Sequence, residues 1–147
     1  MERALTRREL VRLLGLGVLA VACRRAPVLP APEDVVLGRD ECAWCRMLID
    51  DARLPAEFAR MGGRVEKFGE PGCLLAWLAE HRDADGVSYV TVEDGGWLRA
   101  DAAAFVVGGS RTPMSFDITA HRAAPAGAAS VEWADLLREG PPHVRPS

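Results

Sequence analysis

The opening of the chain sets what is left to fold. Arg3, Arg7, Arg8 and Arg12 precede an apolar run from Leu13 to Ala22, the charge-then-apolar order of a signal peptide. That run is shorter than the roughly 20 residues that span a bilayer. Thr6 to Arg12 (TRRELVR) resembles a twin-arginine export signal with Arg7 and Arg8 as the recognised pair, although Leu10 stands where Phe is commoner. Such a signal is an address and leaves no anchor behind. The segment closes on LAVAC, Leu19 to Cys23, which is similar to a lipobox. Residues 1–22 therefore read as a cleaved lipoprotein-type leader and Cys23 as the lipidated first residue of the mature protein. Several acyl chains on one cysteine are enough for stable membrane anchoring.

Residues 23–36 are rich in Pro and Ala and read as an extended tether. Residues 141–147 form a breaker-rich tail, which leaves 37–140 as the folded domain, about a hundred residues and enough for one core. Loss of the leader removes four arginines and two glutamates and moves the net charge from −3 to −5. An acidic surface argues against nucleic acid as a partner and against adhesion to anionic lipid by electrostatics alone. Every basic side chain other than histidine is arginine except Lys67.

Within the domain, Phe58 to Phe68 carries Gly62-Gly63 between short alternating runs, the pattern of a β-hairpin. Glu70-Pro71 opens a helix, with proline where its missing N–H does no harm, and the helix runs to about His81. Cys73, Leu74, Trp77 and Leu78 share one helix face, so Cys73 is expected to be an inert core residue. Val87 to Glu93 and Ala103 to Gly109 read as strands, Thr112 to Arg122 as extended chain, Ala124 to Ser130 as a loop and Val131 to Glu139 as a short amphipathic helix. The fold class is α+β with a suggestion of two similar halves.

Export makes the cysteines informative. With Cys23 acylated, Cys42, Cys45 and Cys73 remain, an odd number, so at least one thiol stays outside any internal disulfide. Glu41 to Asp51 (ECAWCRMLIDD) gathers Cys42, Cys45 and Met47. A zinc knuckle needs four N or S ligands, and no second CxxC or paired histidine follows. A thioredoxin-like pair belongs at a helix start in a βαβ setting, which is absent here. A disulfide between cysteines three apart closes a small loop that removes little entropy and leaves Met47 without a role. Thiolate and thioether donors together select Cu(I). In an extended RMLID strand, Cys45 and Met47 would point to one face, with Cys42 swinging in from the preceding turn. Asp50 and Asp51 would face opposite ways there and read as a solvated turn. No nucleophilic triad or phosphate-binding glycine loop is present, and the chain reads as a protein other than an enzyme.

The ordered set CAWCRM (Cys42 to Met47), VEKFGEPGCLLAWL (Val65 to Leu78) and AAFVVGGSRTPM (Ala103 to Met114) resembles the NosL family of nitrous oxide reductase accessory proteins. The resemblance implies an exported lipoprotein on the extracytoplasmic or periplasmic side of a membrane. It implies one Cu(I), held by Cys45, Met47 and Met114, that is passed to a copper enzyme. The client would be nitrous oxide reductase or, within the same class, a terminal oxidase. It also implies two related ββαβ halves similar to part of an organomercury lyase. Ala124 to Ser130 is shorter than the family's usual connection, so the second half is expected to be reduced. His121 stands where an apolar aromatic is usual and is a candidate extra imidazole ligand. The expected site is thus Cys42, Cys45, Met47 and Met114, with His121 as an addition. A different class of function, a thiol–disulfide oxidoreductase acting through Cys42 and Cys45, is compatible with the same stretch, as is a zinc- or disulfide-stabilised interaction module.

Overall fold

A computed structural model describes residues 28–142. The leader, Cys23 and the start of the tether lie outside the described residues, as does the end of the tail.

Strands β1 (Ala56–Arg60) and β2 (Val65–Phe68) form the expected hairpin. Its turn places Gly62 and Gly63 at φ 108° and 99°, which a residue lacking Cβ adopts without steric penalty. Helix α1 (Pro71–Glu80) follows, with Pro71 in its first turn. Strand β3 (Gly86–Thr91) then returns beside β1, and β4 (Trp97–Arg99) adds to its far edge. The resulting antiparallel sheet has the order β2-β1-β3-β4. Helix α1 covers one face: the Trp77 ring meets Phe58 at 5.3 Å and Phe68 at 5.7 Å between centroids.

On the other face, Glu57 of β1 stands opposite Lys67 of β2 and Tyr89 of β3. Residues 30–34, part of the expected tether, cross this face. The Tyr89 hydroxyl donates to the Pro30 carbonyl at 2.7 Å, and the Glu33 N–H donates to Glu57 Oε2 at 2.8 Å.

A second, smaller sheet pairs β5 (Ala104–Val107) with β6 (Ile118–His121), antiparallel. A β-bridge from Phe105 to Val131 leads into α2 (Trp133–Glu139), where Trp133 packs on Phe105 at 5.3 Å. The two sheets share one core. Phe68, Leu74, Leu75, Val90, Phe105 and Ile118 are all fully buried within it, each such side chain contributing about 1.5–3 kcal/mol by leaving water. The architecture is α+β, as expected.

Two local expectations fail. Thr112 to Arg122 is extended only over β6. Before it, Ser115 and Asp117 take φ 59° and 55°, because Thr112 and Asp117 exchange hydrogen bonds: the Thr112 N–H donates to Asp117 Oδ1 at 3.0 Å and the Asp117 N–H to Thr112 Oγ1 at 2.9 Å. Side chains of this type compete with strand pairing. Likewise RMLID is not a strand; only Leu48 bridges, to Glu41.

Candidate metal centre

The loop between Glu41 and Leu48 is a tight turn closed on itself. The Cys42 N–H donates to the Met47 carbonyl at 2.8 Å, and the Arg46 N–H to the Cys42 carbonyl at 3.0 Å. Arg46 takes φ 66° to complete the reversal, a conformation uncommon outside glycine. The convergence of sulfurs expected from strand alternation is therefore achieved by this turn instead. Cys42 points inward and is buried, Cys45 is partly exposed, and Met47 is half exposed.

Helix α1 supplies a third thiol. Cys73 lies in its first turn and is fully buried. The Sγ atoms of Cys42, Cys45 and Cys73 all lie within 4.8 Å of one another. Cys73 is buried as expected, and its placement also sets it beside two other sulfurs. Its burial is legible from helix periodicity, but burial beside two other sulfurs depends on how the loop folds over α1. The odd number of thiols is the one sequence signal that points to it.

Met47 and Met114 line the same cavity of about 110 Å³ as the three cysteines, together with Glu70. Four expected donors, Cys42, Cys45, Met47 and Met114, are thus brought around one space. His121 is not brought there. On β6, Ile118 and Ala120 take the buried positions, and the imidazole Nδ1 and Nε2 lie 3.0 Å from Glu93 Oε1 and from Thr119 Oγ1. Asp51 pairs with Arg53 at 2.7 Å on the exposed surface, in keeping with a solvated turn.

The thiols are electrostatically unequal. A hydrogen bond from the Cys73 thiol brings the Cys42 pKa down to about 5, against the opposing effect of burial. Cys73 is pushed up by that same bond and by burial, and Cys45 is raised chiefly by burial. These directions favour Cys42 as the first of the three thiols to ionise. Each thiol that binds a metal as thiolate must release its proton.

Glu70 borders the cavity and is almost wholly buried. Its Oε2 accepts from the Met114 N–H at 3.5 Å, while Oε1 has no hydrogen-bond partner among the described residues. Burial raises its pKa. The carboxyl group thereby ties the N-terminus of α1 to the loop that carries Met114. A second close contact joins these segments: a Cβ on Gly72 would stand 2.2 Å from the Phe116 ring, so glycine is what allows the loop to lie on the helix.

Chemically, the cavity is lined by the three cysteines and by Met47 and Met114, with the carboxylate residues Glu70 and Asp50 also on its wall. No histidine or carboxylate joins the thiols within the same 4.8 Å among the described residues. Zinc in a structural site takes four N, S or O ligands in a closed tetrahedron; this set of residues is softer and richer in neutral sulfur.

The chain is thus a small α+β domain with a cavity walled by soft sulfur donors. No protein-family model and no curated protein matches it. Among solved structures it is similar to the copper chaperone NosL from Shewanella denitrificans, with a TM-score of 0.63 and 18% identity over 76% of this chain and 99% of that one. At that identity the likeness is one of fold.

Proposed function

We propose that the protein is an exported, membrane-anchored chaperone that binds Cu(I) and delivers it to a copper enzyme. The observation that carries this reading is the convergence of Cys42, Cys45, Cys73, Met47 and Met114 on one cavity. The solved neighbour of the same fold is a copper chaperone, which supports it. Cys23 is the proposed lipid anchor, and nitrous oxide reductase the proposed client, with a terminal oxidase as the alternative within the class. We also read β5, β6 and α2 as a reduced counterpart of β1, β2 and α1.

The site is graded from floor to rim. Cys42 and Cys73 are buried, Cys45 is partly exposed, and Met47 stands at the opening with half its surface in water. An incoming Cu(I) meets the neutral thioether of Met47 first, then Cys45, then the buried Cys42 and Cys73, and each thiol that binds as thiolate passes its proton to solvent. Release reverses the order: each donor from a recipient replaces one sulfur, and the copper never leaves coordination. The oxidation state is unchanged throughout, so the step needs no electron donor. The rival oxidoreductase draws support from the acidic Cys42 thiol, but a nucleophile with 1% of its surface exposed is poorly placed to attack a partner's disulfide.

The test is competition between the reduced domain and a Cu(I) chelator. Tight stoichiometric binding, lost in Cys45→Ser, supports the reading; a protein that leaves all copper with the chelator refutes it.

A further inference from the structure

Lys67 is the single lysine of the chain, and the sulfur cavity makes no direct use of it. It lies in β2 opposite Glu57, on the sheet face turned away from α1. Its ammonium donates to the Asp34 carbonyl at 2.6 Å and to Asp40 Oδ2 at 2.9 Å. Its own carbonyl accepts from the Ala43 N–H at 2.7 Å. Asp40 in turn closes the base of the metal loop: its Oδ2 accepts from the Val36 N–H at 2.9 Å, and its carbonyl accepts from the Ile49 N–H at 2.9 Å. The Lys67 and Asp40 side chains are only 19% and 24% exposed, so solvent screens the pair less than an open surface bridge.

These contacts share one destination. They fall on Asp34, Asp40 and Ala43, at or just before the turn that carries Cys42, Cys45 and Met47. The ammonium takes no part in the backbone ladder between β1 and β2. A compact charge with three rotatable donors reaches a carbonyl on one segment and a carboxylate on another. The planar fork of arginine, used at every other non-histidine basic position, is suited to a single flat acceptor.

We propose that Lys67 is a positioning residue for the metal loop: through Asp40 it fixes the base of the turn, and through Asp34 it ties that turn to the N-terminal segment. Its functional meaning rests on the copper reading; its effect on loop order rests on geometry alone.

Lys67→Met and Asp40→Asn, singly and together, test it by two measurements. In the metal-free protein, hydrogen exchange at the Cys42 and Arg46 amides should quicken in both variants while amides of β1 and β3 keep native protection. In chelator competition, each variant should bind Cu(I) about tenfold more weakly, the loss expected when one charge-assisted hydrogen bond that orders a ligand loop is removed. The double variant should be no weaker than the weaker single. Native exchange at Cys42 and Arg46 together with native affinity overturns the proposal, as does additive loss in the double variant. If Lys67→Met does not fold, the same readouts on Asp40→Asn decide. If the unmodified protein itself binds no copper, the copper reading falls, and the exchange measurement alone decides the role of Lys67 in loop order.

Discussion

The Sγ of Cys73, carried by α1, and that of Cys42, carried by the loop after Glu41, lie within 4.8 Å of each other, and the neighbouring Cys73 thiol is the main cause that lowers the Cys42 pKa. This proximity joins helix and loop at the floor of the cavity. Cys73→Ala removes it. Cu(I) affinity should fall by more than the roughly 10–100-fold typical of an outer-shell partner. In the metal-free protein, the ultraviolet thiolate band should be present at neutral pH and fade as pH falls through about 5. In Cys73→Ala it should fade at higher pH, since the neighbouring thiol that favours the Cys42 thiolate is gone. An unchanged affinity and an unchanged titration would remove Cys73 from the site.

The thioethers should matter without carrying the fold. Met47 is half exposed, so Met47→Leu keeps similar volume and takes away only the sulfur. Both Met47→Leu and Met114→Leu are expected to weaken Cu(I) binding by less than Cys45→Ser does, with thermal stability of Met47→Leu near that of the parent. Chelator competition on the folded variants checks this. Parental affinity in both would leave a site made of thiols alone.

Gly72→Ala probes the seat of the Met114 loop. The added carbon would stand 2.2 Å from the Phe116 ring and 2.3 Å from its Cβ, atoms that cannot swing aside as a long side chain would. Overpacking of this kind costs about 1–3 kcal/mol. Denaturant unfolding should show that loss, and Met114→Leu should then have a smaller effect on copper affinity than it has in the parent. Parental stability would contradict the close approach of loop and helix.

Much of this frame is readable along the chain, and the reason is local. Gly62-Gly63 announces the first hairpin, Pro71 the start of α1, and alternation the run that becomes β3; each signal acts within a few residues of its effect. The site is less legible because it is built from contacts between segments. Met47 stands out in the sequence for a strand geometry that the chain does not adopt, yet the turn closed by Cys42 and Met47 delivers it to the same cavity. Cys73 reads as ordinary core because helix periodicity reports burial and not the identity of the neighbour. His121 is marked by its chemistry alone, and its place on β6 leaves it with Glu93 and Thr119.

A buried carboxyl group away from the cavity supplies a pH dependence. Glu57 is fully buried in β1, and its Oε1 has no hydrogen-bond partner among the described residues. Burial raises its pKa from the ordinary 4.5 to about 7. Its neutral form is therefore favoured in the fold, so the associated stability is fully present below about 4.5 and is lost as pH rises through about 7. The full loss is on the order of 3 kcal/mol. Glu57→Gln should flatten this part of the profile, measured as the difference in unfolding free energy between the two proteins at acid and mildly alkaline pH. Parallel profiles would mean that Glu57 is ionised in the fold as readily as in water.

In the proposed function, sulfur atoms from the loop, from α1 and from the Met114 turn hold one copper ion together. X-ray absorption at the copper edge of the reduced, Cu(I)-loaded protein tests it most directly. The expected spectrum is a Cu(I) edge with a shell made of sulfur alone, which loses sulfur in Cys73→Ala and again in Met114→Leu. A shell dominated by nitrogen or oxygen, or one that both substitutions leave unchanged, would contradict it.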